Sequence, residues 1–96
     1  MARKGEFRVD NVPRLSKEQR TLLGSIKTTV WIGKEGNLAS VANEIRVQLN
    51  KREMVKVRSL LKHLEPQERK AMFEEIARLL SLKLISQQGH TAVYLL

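Results

Sequence analysis

The chain has 96 residues and no cysteine. Disulfides and thiolate metal sites are therefore excluded, and the fold must stand on packing alone. The absence suits a reducing compartment, and a cytoplasmic setting is expected. Long apolar runs are also missing, so nothing in the sequence has the length of a membrane-spanning helix. Met1-Ala2-Arg3-Lys4-Gly5 leads into charged sequence with no apolar signal core. Catalytic sets are absent too. There is no plausible Ser-His-Asp constellation, no nucleotide-binding fingerprint, and His63 and His90 lack metal-ligand spacing. No enzyme, catalytic residue, cofactor, metal or small-molecule substrate is expected.

What is present in excess is positive charge. Eighteen Lys and Arg stand against ten Asp and Glu, a net of +8. The excess is uneven: residues 1–64 hold 14 basic and 6 acidic side chains, residues 65–96 four of each. A small domain this basic and this asymmetric suits a polyanion partner, and nucleic acid is favoured over a merely solubilising surface. Charge alone does not separate RNA from DNA. Aromatic residues make up only 4%, which argues against a platform of stacked aromatics and for recognition of backbone and shape.

Hydrophobic residues at 42% and charged residues at 29% describe a globular chain, and its length predicts one domain with a modest core. Residues 1–15 read as a flexible basic arm, with Arg3, Lys4, Arg8 and Arg14 near Glu6 and Asp10; residues 16–96 read as the folded domain. Ser16 with Gln19 makes a capping-box pattern, opening a short helix with Leu22, Leu23 and Ile26 on its buried side. Thr28 to Ile32 is β-branched and aromatic and reads as a strand stopped by Gly33. Asn37 is a good N-cap for a second helix carrying Leu38, Val41, Ala42, Ile45 and Leu49 on one face. Met54 to Ser59 alternates, with Val55 and Val57 inward and Lys56 and Arg58 outward. Glu65-Pro66 opens a third helix with Met72, Phe73, Ile76, Leu79 and Leu80 as its core face. Leu82 to Gln87 and Thr91 to Leu96 read as a closing hairpin around Gln88-Gly89-His90. The order α-β-α-β-α-β-β predicts a compact two-layer α/β domain with a mixed four-stranded sheet.

Between the first strand and the second helix lies Gly33-Lys34-Glu35-Gly36. Glycine lets backbone turn tightly and approach a ligand closely. The helix start at Asn37 offers unpaired N–H groups and partial positive charge, and Lys34 adds a full charge. Glu35 offsets it. Such a turn can receive a phosphate. The four residues alone fit equally well a tight turn that needs glycine for its geometry. They are neither a P-loop, since no Gly-Lys-Ser/Thr ending follows, nor a KH loop, which joins two helices.

With these residues in view the sequence resembles the CRM domain, the RNA-binding module of bacterial YhbY-type ribosome-associated proteins and plant organellar splicing factors. The resemblance rests on Ile32-Gly33-Lys34-Glu35-Gly36, Glu44-Ile45, Glu53-Met54-Val55-Lys56-Val57-Arg58, and Gly89 followed by Val93 and Tyr94. It covers about residues 16–96. Thr28 and Thr29 stand where the family has a proline, and Leu95 where it has an arginine. The resemblance implies a fold akin to the C-terminal domain of bacterial translation initiation factor three. It also implies RNA as partner, often ribosomal RNA during large-subunit assembly. General DNA binding and a splicing or chaperone role are the alternatives.

The candidate RNA-binding residues are therefore Gly33, Lys34, Glu35, Gly36 and Asn37 at the loop, Lys51 and Arg52 at the end of the second helix, and Lys56 and Arg58 on the outer face of the second strand. Arg46 projects from the same helix as Lys51. Lys51 and Arg52 serve the helix dipole equally well. Trp31 could stack on a base, but between Val30 and Ile32 it is expected in the core, as is Tyr94 with its hydroxyl at an edge. His63 and His90 are expected at the surface or in turns. The third helix, with Glu65, Glu68, Glu74 and Glu75 beside Arg69, Lys70 and Arg78, reads as a solvated mixed-charge face turned away from RNA.

Overall fold

A computed structural model describes residues 15–33 and 37–96. Of the expected arm, residues 1–15, all but Leu15 lie outside them, and Leu15 packs on the sheet rather than extending free of it. The described residues form seven elements in the expected order: α1 (Lys17–Ser25), β1 (Thr28–Ile32), α2 (Leu38–Leu49), β2 (Met54–Ser59), α3 (Pro66–Leu80), β3 (Lys83–Gln88) and β4 (Thr91–Leu95). Strand order in the sheet is β1-β2-β4-β3. β1 runs parallel to β2, which forces a crossover, and α2 supplies it. β4 is antiparallel to both of its neighbours.

One face of the sheet carries the main core. Val30 and Ile32 of β1, Val55 and Val57 of β2, and Ala92 and Tyr94 of β4 pack against Val41, Ile45 and Leu49 of α2 and Phe73, Ile76 and Ala77 of α3. α2 lies over β1 and β2, and α3 over β3. The spacing of Phe73, Ile76, Ala77 and Leu80 is the three-and-four stripe of a half-buried helix. Leu79, expected in that stripe, falls off it and is 53% exposed.

The opposite face has its own, smaller cluster. Met54, Ile85, Val93 and Leu95 are covered by Leu15, Leu23 and Ile26, so α1 sits here, away from α2 and α3. The predicted capping box is present: Gln19 N–H donates to Ser16 Oγ at 3.0 Å, and Ser16 N–H to Gln19 Oε1 at 2.9 Å. The Gln19 amide also donates to Glu53 at 2.7 Å, pinning α1 to the turn before β2. Leu22 does not join Leu23 and Ile26 as expected; it is exposed. Ile26 is already extended backbone, so the helical spacing that would align it with Leu22 is broken.

Among the described residues two adopt left-handed backbone. Gly89 (φ 54°) makes the β3–β4 turn, and Ser81 (φ 56°) terminates α3. Tyr94 is fully buried, and its hydroxyl donates to the Phe73 carbonyl at 2.7 Å, stitching β4 to α3. Burial holds its phenol well above the usual range. Replacing Tyr94 by Phe should cost about 1 kcal/mol, the net worth of one such bond. Above pH ~10 the unfolded phenol ionises while the folded one resists, so this contribution to stability falls as pH rises. Denaturant unfolding of wild type and Tyr94→Phe at neutral and alkaline pH checks both, since the difference between them isolates the phenol.

Candidate nucleic-acid interface

β1 ends at Ile32, Gly33 follows, and α2 begins after Asn37. The Asn37 side chain accepts from the Ala39 N–H at 2.8 Å, the expected N-cap. Among the described residues the Leu38 and Ser40 amides, in the same first turn, have no acceptor. Lys34, Glu35 and Gly36, the remaining candidates of the loop, lie outside the described residues.

Gly33 itself is half-exposed and has no left-handed φ, and a Cβ built on it meets nothing within 4 Å. Its own backbone does not demand glycine. The open space beside it is room for an approaching group.

The loop does not stand alone at this end of the sheet. Leu60 N–H donates to the Ile32 carbonyl at 2.9 Å, so the segment after β2 runs beside Gly33. Ser59 N–H donates to the His90 carbonyl at 2.7 Å and brings the hairpin turn to the same edge. Arg69 closes the group: its Nε donates to Gly89 at 3.1 Å and its NH1 to the Leu64 carbonyl at 3.0 Å. Arg58, Ser59, Leu60, Lys62, Arg69 and His90 line an open depression of about 390 Å³. Carbonyl partners orient the Arg69 guanidinium without neutralising it, and among the described residues no carboxylate pairs with Arg58, Lys62 or Arg69.

The sequence-predicted residues thus separate. Gly33, Asn37 and Arg58 share one end of the sheet. Lys56 lies on β2 on the same face as Arg58, half-buried toward the α1 side. Lys51 and Arg52 are exposed at the far end of α2, a helix of 12 residues and so about 18 Å long. Sequence reasoning missed Lys62, Arg69 and His90. Lys62 sits within the basic two thirds, but nothing local marks it. Arg69 was placed on a solvated face turned away; instead it is half-buried at the depression, because α3 begins at the hairpin turn.

Trp31 overturns another expectation. It is not core but 52% exposed. Val30 and Ile32 point to the α2 side, and strand alternation sends the residue between them to the other face, where α1 covers the opposite end.

This arrangement matches a known family. The CRS1/YhbY (CRM) domain corresponds to residues 14–94. The chain belongs to the CRM domain family. Among solved structures, a Staphylococcus aureus protein determined in solution and described as a candidate RNA-binding protein superposes with a TM-score of 0.65 at 24% identity. The match covers 85% of this chain and 88% of that one, so the CRM fold is shared across nearly the whole domain. Among curated proteins none matches.

Gly33→Ala should unfold at the same or a slightly higher denaturant midpoint than wild type, because the added methyl enters open space and restricts the unfolded chain. A loss above ~1 kcal/mol, the scale of a glycine forced out of its backbone region, would show that the turn requires glycine after all.

Proposed function

We propose that this CRM domain is a non-enzymatic RNA-binding protein that holds the phosphate backbone at the β1–α2 end of the sheet. The observation that carries the reading is that the start of α2 and a depression lined by Arg58, Lys62, Arg69 and His90 lie at the same end of the sheet. Phosphate oxygens would accept from the free amides of Leu38 and Ser40 and from the loop before them, and the side-chain cations would supply the long-range attraction. Lys34 adds charge at the loop. Lys56 extends the basic surface along β2. Lys51 and Arg52, at the far end of α2, would meet RNA only if it runs along the helix.

Family membership and the basic balance favour RNA, and we take ribosomal RNA in large-subunit assembly, in the cytoplasm, as the setting. Among the described residues there is no group of three or more His, Asp or Glu side chains able to hold a metal ion.

Lys34→Glu should weaken binding to structured RNA several-fold with the fold intact. Raising salt should weaken wild-type binding along a log–log line whose slope counts the phosphates neutralised, and the variant's slope should be shallower by about one. Filter binding or anisotropy at a series of salt concentrations measures both. Equal affinity of wild type and variant would remove the loop from the interface, and equal competition by duplex DNA would move the partner class. Sedimentation of native extract through sucrose at low and raised salt tests the ribosomal setting: release from large-subunit precursors as salt rises is expected.

A further inference from the structure

Among the described residues, the end of the α1-side sheet face that α1 leaves uncovered holds the chain's sole tryptophan. Trp31 on β1 stands in register with Arg58 on β2, and the two project to the same side. Arg58 pairs in turn with Thr91 of β4, and Thr91 with Gln88 of β3. Lys56, two residues before Arg58, shares this face opposite Val93. The apolar cluster under α1 comprises Met54, Ile85, Val93 and Leu95 and does not include Trp31 or Arg58. An edge strand therefore presents an indole at 52% exposure, with a guanidinium one strand away, about 4.8 Å in the sheet.

The strands bear no acidic residue at all; their charges are Lys56, Arg58 and Lys83. An apolar ring on a purely cationic surface suits a partner that is both flat and anionic. A nucleotide has both properties, an apolar base face and a phosphate. A protein helix or a lipid tail would not need the cations, and a bare phosphate would not need the indole. Trp31 also lies two residues from Gly33, about 7 Å along an extended strand, so the same strand of RNA can reach both.

We infer that Trp31 is a stacking platform for an unpaired nucleobase, with Arg58 and Lys56 holding the flanking phosphates. The inference rests on the RNA-binding reading and deepens it: the ligand has a single-stranded nucleotide beside the backbone contacts. Paired bases cannot reach the ring, because their faces are already stacked within the duplex. Arg58 completes the site either on the phosphate or over the indole face.

The only tryptophan is its own reporter. Titration with an unstructured oligouridine of about ten nucleotides, within the usual span of single-strand sites, should quench its fluorescence. An abasic oligomer of equal charge should bind more weakly and leave the emission nearly unchanged. Trp31→Ala should lose ~10-fold in affinity for the oligouridine and little for a fully paired RNA duplex, while Trp31→Phe keeps most of it. Circular dichroism confirms that both variants fold. The deoxy oligomer, run alongside, shows whether the site takes the base alone or also requires ribose.

Oligouridine binding that neither quenches Trp31 nor weakens in Trp31→Ala overturns the platform. If Lys34→Glu still weakens duplex RNA in that case, the backbone reading stands without it. Quenching by the abasic oligomer equal to that by oligouridine overturns the platform as well. So does loss of self-association in Trp31→Ala with oligonucleotide affinity unchanged, which would make the ring a protein contact. A wild-type protein that binds no RNA at low salt overturns both readings together.

Discussion

Val55 and Val57, both fully buried against α2 and α3, fix the register of β2, and β2 fixes the sheet. It pairs with β1 on one side and β4 on the other, so its alternation dictates which way the facing residues of both neighbours point. A slip of one residue would drive Lys56 and Arg58 into the core and lift two valines into water. Burying an unpaired cation costs several kcal/mol, so the slipped register is not a competitor. The same constraint that assembles the core therefore also delivers the basic outer face. Packing and surface chemistry are two sides of one strand.

The distribution of charge follows from this. Among the described residues acidic side chains are confined to helices and connections, where Glu53, Glu68 and Glu75 each take a structural partner: Gln19, the Glu65 amide and Arg78. The strands keep only cations. In a chain with a net of +8, keeping the acids off the strands leaves the sheet face as a place where positive charge goes unanswered. Sheet and depression meet at Arg58, which belongs to both.

Most of the fold was legible because local signals agreed with one another. Ser16 with Gln19, Asn37, and Glu65-Pro66 marked the starts of the three helices, and Gly89 the hairpin; strand ends fell within a residue of expectation. What misled was apolarity without a face. Val30-Trp31-Ile32 is apolar throughout, so its period of two is invisible, and nothing local reveals that α1 covers only one end of the sheet. Leu22 and Leu79 failed similarly, one because Ile26 lies past the helix end in extended backbone and one by lying beside the stripe rather than on it. The loop was legible as a motif, whereas its neighbours Lys62, Arg69 and His90 reach it only through tertiary connections.

The last strand in the chain is not an edge of the sheet. β4 lies between β2 and β3, and its backbone is what joins the parallel β1–β2 pair to the rest. During synthesis, at roughly 5–20 residues per second, every other element emerges first. Until β4 arrives, β2 presents an unpaired edge along Val55 and Val57 and is open to the wrong strand. Lys56 and Arg58, alternating with those valines, then repel a second nascent copy of the same segment. Cations that suit a finished surface thus also guard an unfinished one.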